Sequence, residues 1–413
     1  MFRIATLLVS ALSVSAHAEN KTVGDYLDAS TNPSGVCRLV GVDLTYSKTR
    51  VSAARVAQGP SEVFDHIDRR FYCSASLIDP THVLSAAHCY QGTLEGSPDY
   101  TSKPIPKEPR TPQCQLPGWE DDLRCVARVE YYRIDIKMDH VDVECGVDAT
   151  GKALETHRTD WNMGYPNPRM NAKRVPYDVS VLQVDAKFEK VQPLPILLDA
   201  EETMPSILQN DGDCQAYGYG LDNAHNAGVL HGIELPLSLF DSHEEWLVAK
   251  DTHQGTQHGD SGGPLFCKDR QGMSKIFGVV SMGGDHGGVL NSAFSVTGYN
   301  ALWIKRVLAL DPSFRHSHAN LNDSWHQIAV QYEFDELARL LKQIDSCIDR
   351  RTDFDRKFRR GLKHDYRVLS KARKVKLKQY DRKEIPAGPM RIYLDMIFKN
   401  VYEVKDRCEN TPS

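Results

Sequence analysis

The stretch from Thr252 to Cys267 reads THQGTQHGDSGGPLFC and places a serine inside a glycine-rich turn. Ser261 follows Gly259 by two residues and is itself followed by Gly262 and Gly263. Glycines at these positions let the backbone approach a reacting group closely and keep side chains away from the turn. A serine hydroxyl is a weak nucleophile at neutral pH and needs a base within hydrogen-bond reach. The stretch therefore predicts a histidine elsewhere in the chain that completes a reactive site.

Two earlier motifs supply that base and a carboxylate. LSAAHC contains His88, and DVSVL begins with Asp178. His88 titrates near neutrality and can take the proton of Ser261. A buried Asp178 would hold the imidazole in the correct tautomer and stabilise the imidazolium. The amides of Gly259 and Ser261 are expected to form the oxyanion hole. Each residue alone is typical of a core, strand-start or turn position, but the order His, Asp, Ser is that of the chymotrypsin-type triad.

Short apolar runs separated by turn residues surround these motifs. Such regular short strands with glycine-rich turns are typical of an all-β sandwich or barrel. The segment NALWIKRVLAL (300–310) is amphipathic and predicts a helix that Asp311 and Pro312 end. The predicted strands are FYCSASLI (71–78), THVLSAA (81–87), YDVSVLQV (177–184), KIFGVVSM (275–282) and NSAFSV (291–296).

From Phe71 to Leu310, a little over half of its length, the chain resembles the trypsin/chymotrypsin-like serine endopeptidases. The resemblance rests on the three motifs, two cysteine pairs and the closing helix. It implies a mostly β fold of two six-stranded antiparallel β-barrels and hydrolysis of peptide bonds through an acyl-enzyme intermediate. Protein or peptide substrates are implied, and no metal or other cofactor is needed. The alternative is a catalytically inactive protease-fold module for binding or adhesion, which the intact triad disfavours.

The resemblance also locates a substrate cleft. The residue six before the nucleophile, Gly255, falls at the base of the specificity pocket, where a trypsin-like enzyme has an aspartate, and Ser292 falls near it. An uncharged, open pocket favours a large apolar or aromatic side chain over Arg or Lys, unless the carboxylate of Asp285 reaches in. Gly283 is expected to leave the wall open and to pair with an extended substrate. The cleft wall comprises Ser281, Met282 and Gly283.

Activation by cleavage is a further implication of the resemblance. In that family, a newly freed Ile or Val amine pairs with the aspartate before the nucleophile, which here is Asp260. The bond between Arg55 and Val56 is the favoured site for an activating protease, and the bond between Arg50 and Val51 is the runner-up. A buried ammonium–carboxylate pair of this kind would order the oxyanion turn.

The first residues predict export. Arg3 is followed by a short apolar run and by Ala-His-Ala, which is typical of a secretory signal peptide over 1–18, and a leader or propeptide is expected over 19–55. An even number of cysteines in an oxidising compartment favours disulfides. The resemblance implies Cys73–Cys89 and Cys214–Cys267. Local pairing of Cys114 with Cys125 would leave Cys37 for Cys145, although other connectivities remain open, and Cys347–Cys408 would close the C-terminal region.

The length of 413 residues suggests two domains, which we expect at 56–310 for the protease domain and 311–413 for a basic helical domain. Within the latter, residues 350–383 contain 15 Lys or Arg against four Asp or Glu. This charge predicts either a solvated helix face, or one that docks on the acidic remainder of the chain, or attachment to an anionic surface or polymer.

Overall fold

A computed structural model provides the structure of the chain. The predicted signal peptide, Arg55, Val56 and the pair Cys114 and Cys125 lie outside the described residues. The described residues are 34–51, 57–91, 99–106, 126–148, 150–160, 163–170, 175–199, 214–221, 227–235, 237–239, 246–251, 255–285, 290–310, 324–354 and 356–410.

The first sheet is antiparallel and carries the histidine and aspartate motifs at its strand ends. Its described strands are β1 (Val36–Val51), β2 (Ala57–Asp79), β3 (His82–Ser85), β4 (Asp99–Pro106), β5 (Val126–Lys137), β6 (His140–Cys145), β7 (Glu155–Thr159), β8 (Gly164–Pro166) and β9 (Ser180–Gln183). The strand order is β4-β5-β1-β2-β3-β9-β8, and β6 pairs with both β1 and β7. Both β3 and β9 are buried along their whole length, so the two motifs that they position are fixed by packing on both faces.

The second sheet is also antiparallel and carries the serine motif. Its described strands are β10 (Cys214–Gly218), β11 (His231–Leu235), β12 (Leu237–Leu239), β13 (Trp246–Asp251), β14 (Pro264–Lys268), β15 (Ser274–Asp285) and β16 (Leu290–Val296). Their order is β11-β10-β14-β15-β16-β13-β12. The predicted fold class is confirmed: two curled antiparallel sheets of the chymotrypsin type, with helices after them. The described residues hold nine and seven strands rather than six in each sheet, partly because β4 and β5 extend the edge of β1.

Residues 36–51 differ from the separable leader that we expected over 19–55. They form β1, which pairs with β2, β5 and β6 in the centre of the first sheet. Leu39 and Leu44 of this strand are buried, and Cys37 is bonded to Cys145 on β6. The strand contributes to the core of the protein, so its removal would expose apolar surface along three partner strands.

Disulfides join neighbouring elements at several points. Cys37–Cys145 and Cys214–Cys267 each connect residues that lie directly opposite each other on paired strands. Cys73–Cys89 ties β2 to the helix that contains His88, and Cys347–Cys408 closes the C-terminal region. The structure thus contains each predicted pair whose two cysteines are described.

Three long helices follow the second sheet. The described helices are α1 (Ala87–Gln91), α2 (Ala301–Leu308), α3 (Ser324–Arg350), α4 (Arg356–Asp381) and α5 (Ala387–Asn410), with a 3-10 helix at Val175–Tyr177. The last three pack on one another around a shared apolar core that includes Phe334, Leu337 and Phe398. None of the helices in the described segments has an apolar stretch that would cross a bilayer.

The helical region also packs directly on the sheets. Ala329 and Tyr332 of α3 belong to the same buried cluster as Val279 of β15 and Trp303 of α2. The rings of Trp303 and Tyr332 meet edge to face with centroids 5.2 Å apart. By contrast, Leu362 and Leu369 are the buried residues of α4, and most of its basic side chains are at least partly exposed. The docking surface is therefore provided by α3 and α5 rather than by the basic helix.

Candidate active site

The first sheet brings His88 and Asp178 together. His88 lies in α1 after β3, and Asp178 lies two residues before β9, which pairs with β3. The Asp178 Oδ2 atom accepts a 2.7 Å hydrogen bond from His88 Nδ1, and Oδ1 accepts a 2.8 Å bond from the His88 backbone amide. The Asp178 side chain is 2% exposed, whereas that of His88 is 38% exposed. The ring is thus fixed through Nδ1, which leaves Nε2 as the nitrogen that can exchange a proton with a substrate.

The environment of this pair stabilises the protonated imidazole. Ser281, which we placed in the substrate cleft, donates a 2.6 Å hydrogen bond from its hydroxyl to Asp178 Oδ2. Burial lowers the pKa of His88, but the charge of Asp178 and its hydrogen bond outweigh that effect and hold the pKa above its ordinary value of 6.5. The arrangement suits a base that must accept a proton during a reaction.

The serine turn is clamped to the first sheet. Gly259 and Gly262 have φ values of +95° and +88°, in the left-handed region that favours glycine. A side chain on Gly259 would also lie 2.7 Å from Phe71 Cε1. The Ser74 amide donates to the Ser261 carbonyl and the Ser74 hydroxyl donates to the Gly259 carbonyl, each at 2.8 Å. Ser74 is a site residue that sequence reasoning missed, because nothing in the sequence distinguishes it from an ordinary strand serine.

The turn presents two backbone donors. Among the described residues, neither the Gly259 amide nor the Ser261 amide has a recorded protein acceptor. In the described part of the chain, Ser261 Oγ does not form a hydrogen bond with His88 Nε2. The Cys89 sulfur lies 3.8 Å from that nitrogen. Catalytic hydrogen bonds are often long without substrate and shorten in the reacting complex.

The carboxylate of Asp260 is buried behind the turn and already has partners. Its Oδ1 accepts from the Gly220 amide and its Oδ2 accepts from the Gln257 amide, both at 2.8 Å. His231 Nε2 lies 3.2 Å from Oδ1, an ion-pair distance without aligned hydrogen-bond geometry. Pairing of β11 with β10 brings His231 there, and no local motif reveals it.

The predicted activation bond next to Val56 is not among the described residues, and its pairing with Asp260 stays a prediction. Arg55 and Val56 lie outside the described residues, in the connection between β1 and β2. The runner-up bond, between Arg50 and Val51, lies within β1 itself. In the described part of the chain, the ionisable group next to Asp260 is His231.

The base of the predicted specificity pocket carries no charge among its described residues. Gly255 is buried, and a side chain on it would lie 2.9 Å from Leu290 Cβ. The Thr256 amide donates a 2.9 Å hydrogen bond to the hydroxyl of Ser292, which is also buried. Ser292 and Gly255 therefore come together as expected.

The walls of this pocket differ from the open arrangement that we expected. The Thr256 hydroxyl donates a 3.4 Å hydrogen bond to the Met282 carbonyl. A side chain on Gly283 would overlap the Thr256 carbonyl oxygen, so the two backbones are in van der Waals contact. The Met282 side chain is half exposed. The two walls of the predicted pocket therefore meet at Thr256 and Gly283.

Within the described segments, two groups of side chains have a metal-like arrangement, and neither supports a metal centre. Cys73 and Cys89 lie near His88, but both sulfurs are used in their disulfide. Asp43, His66 and Asp68 cluster on the β1–β2 hairpin with side chains more than half exposed. Exposed acidic groups of this kind are solvated without an ion.

Comparison with known families gives a match to part of the chain. Residues 139–304 match the family model described as Trypsin. The matched segment contains Asp178 and Ser261, begins after His88 and ends within α2. No curated protein matches the chain.

Proposed function

We propose that this chain, a protein of the trypsin/chymotrypsin-like serine protease family, is an active, secreted serine endopeptidase. The observation that carries the proposal is the buried Asp178 carboxylate, which holds His88 at 2.7 Å beside a glycine turn with two backbone donors. A binding module with the same fold would have no need for this combination. The disulfides of the described domain also suit an oxidising, extracytoplasmic location.

The proposed reaction follows from the roles of these groups. Ser261 Oγ attacks the peptide carbonyl while His88 Nε2 takes its proton. Asp178 stabilises the imidazolium, and the Gly259 and Ser261 amides bind the oxyanion. His88 then protonates the leaving amine, which departs and leaves an acyl-enzyme. Water, deprotonated by His88, attacks that ester and releases the second product and the free serine hydroxyl.

A serine-directed phosphonate probe tests this proposal. We expect it to label the processed wild-type protein at Ser261 and to leave Ser261→Ala unlabelled, with a loss of about 10⁶ in turnover. Ser274→Ala is the matched control, because Ser274 is exposed at the start of β15. Absence of labelling in a correctly folded wild-type protein would favour the inactive binding module.

The narrow pocket supports a preference for small, uncharged side chains before the cleaved bond. Gly255 offers no countercharge to Arg or Lys, and the contact of Thr256 with Gly283 leaves no slot for an aromatic ring. A peptide library should therefore show cleavage after Ala, Ser or Gly. Efficient cleavage after Phe or Tyr by the wild-type protein would overturn this preference.

The exposed cations of α4 support a second role, attachment to an anionic surface. Vesicles of anionic phospholipid should bind the protein with a steep salt dependence. Replacing Arg367, Lys371, Lys374 and Lys378 by Gln should reduce that dependence, because these side chains are all exposed. Binding that is equally strong to neutral vesicles would contradict this role.

A further inference from the structure

The residue directly before Asp178 is fastened to the C-terminal helices rather than to the sheets alone. Tyr177 is 1% exposed, and its hydroxyl donates a 2.8 Å hydrogen bond to Glu336 Oε1 of α3. The Tyr177 hydroxyl oxygen also lies 2.6 Å from the Tyr402 hydroxyl of α5 and 3.0 Å from the Tyr299 hydroxyl. One side chain of the 3-10 helix thus contacts both docking helices.

The partners of Tyr177 form a closed, buried polar cluster. Glu336 is 1% exposed and is held by Arg339 through two hydrogen bonds of 2.8 and 2.5 Å. The Arg339 guanidinium also lies 4.2 Å above the Tyr299 ring. Burial and the charge of Glu336 raise the pKa of Tyr177, so its hydroxyl remains a donor. A fully satisfied buried network of this kind is rigid, because breaking any bond leaves an unpaired polar group.

Backbone hydrogen bonds connect this rigid cluster to Asp178. The Val179 amide donates to the Tyr177 carbonyl at 2.8 Å, so the turn closes around Asp178. The Asn300 side chain donates to the Pro176 carbonyl, also at 2.8 Å. The main chain on either side of Asp178 is therefore fixed relative to the Tyr177 ring.

From this geometry we infer that α3 and α5 position the catalytic aspartate of the proposed peptidase through Tyr177. Tyr177, Glu336 and Tyr402 are positioning residues, since none of them touches His88 or a substrate. The C-terminal region is on this account part of the catalytic unit. The inference depends on the proposed function, because it assigns Asp178 a role in that reaction.

A displaced Asp178 has a measurable consequence at His88. The charge and hydrogen bond of Asp178 are what hold the pKa of His88 above 6.5 against the effect of burial. When the carboxylate moves away, that pKa falls and the imidazolium formed during attack is less stable. The turnover number should then decrease while KM changes little, because no substrate contact is lost.

The test compares Tyr177→Phe with Tyr332→Phe in the full chain. Tyr332 is equally buried in the same interface, but its hydroxyl accepts a 3.0 Å hydrogen bond from the Asn167 side chain instead of holding the 3-10 helix. Tyr177→Phe should lower kcat by about 10-fold to 100-fold, as misplaced catalytic groups do. It should also move the acidic limb of the kcat profile to lower pH. Tyr332→Phe should lower the melting temperature and leave that limb unmoved.

A second variant, Glu336→Gln, separates a positioning effect from a loss of folding. Glu336→Gln keeps an acceptor for the Tyr177 hydroxyl, so its acidic limb should lie between those of the wild type and Tyr177→Phe. Equal pH limbs in the wild type and a folded Tyr177→Phe variant would overturn the inference while leaving the proposed peptidase intact. A shift of the same size in Tyr332→Phe would also overturn it, because the effect would then belong to the interface as a whole. A wild type that no phosphonate labels would instead remove the proposed function itself.

Discussion

Asp178 and Asp260 are two buried carboxylates of the candidate site and have similar surroundings. The side chains of Asp178 and Asp260 are 2% and 5% exposed. Each carboxylate accepts a hydrogen bond from a backbone amide and lies close to a histidine. The histidines differ, since His88 is 38% exposed and His231 is 10% exposed. On the proposed function, the exposed imidazole of His88 exchanges protons with a substrate, whereas the buried imidazole of His231 lies behind the serine turn.

Asp178→Asn breaks the first pair and should have the largest effect. An asparagine amide favours the wrong tautomer of His88, and in serine proteases this change lowers kcat about 10⁴-fold. Because His88 must be neutral to act as a base, activity of the wild type should rise with pH, and the midpoint of this rise should lie above pH 6.5. In the variant only burial still acts on the pKa of His88, and burial lowers it. The midpoint of the rise in activity should therefore lie below pH 6.5. A pH–rate profile measures both, and an unmoved limb would show that Asp178 does not act on His88.

His231→Leu breaks the second pair and should act mainly on stability and on the oxyanion turn. It removes the imidazole beside Asp260 while the Gly220 and Gln257 amides still bind the carboxylate, so the free energy of unfolding should fall by about 1–3 kcal/mol. Denaturant unfolding measures this loss, and His231→Gln, which retains a donor, should recover part of it.

A matched control for that variant is His82→Leu. His82 is buried like His231 and lies 2.8 Å from Asp79, but the Asp79 side chain is 33% exposed and stays solvated. The control should therefore lose less stability and should keep its kcat. Equal losses in the two variants would mean that the position of His231 behind the serine turn has no special importance.

The contrast also explains what the sequence could predict. His88, Asp178 and Ser261 each lie in a local motif, and their order along the chain carries the information. His231 and Tyr177 have no such motif, because their roles arise from the pairing of β11 with β10 and from a contact that spans 159 residues. A sequence pattern records the spacing of neighbours, whereas these contacts depend on tertiary packing.

The same distinction applies to the fold. Short apolar runs predicted strands in both sheets, and the basic helical domain expected over 311–413 contains three long helices. The role of residues 36–51 as β1 was missed, because scattered turn residues in that region are typical of a leader. The contact between Thr256 and Gly283 was missed as well, since it joins the segment before the serine turn to β15.

Glu333 sharpens the comparison as a buried carboxylate without a close histidine. It is fully buried, and among the described residues its nearest cations are Arg391 Nε at 3.5 Å and Arg169 Nη1 at 3.7 Å, neither of which meets hydrogen-bond geometry. Burial raises its pKa to about 7, because the two arginines offset the desolvation only in part. The folded protein therefore holds this proton between the ordinary value of 4.5 and about 7, where the unfolded chain has lost it.

Stability should consequently fall as the pH rises through that window and should level off above it. Glu333→Gln removes the titrating proton, so the difference in unfolding free energy between wild type and variant should change by roughly 3 kcal/mol from pH 4.5 to 7, in favour of the variant at the higher pH. Denaturant titrations at several pH values measure this slope. If the difference in unfolding free energy does not vary with pH, Glu333 is already ionised in the folded protein at pH 4.5. The two arginines beside it then compensate its charge as fully as His88 compensates that of Asp178.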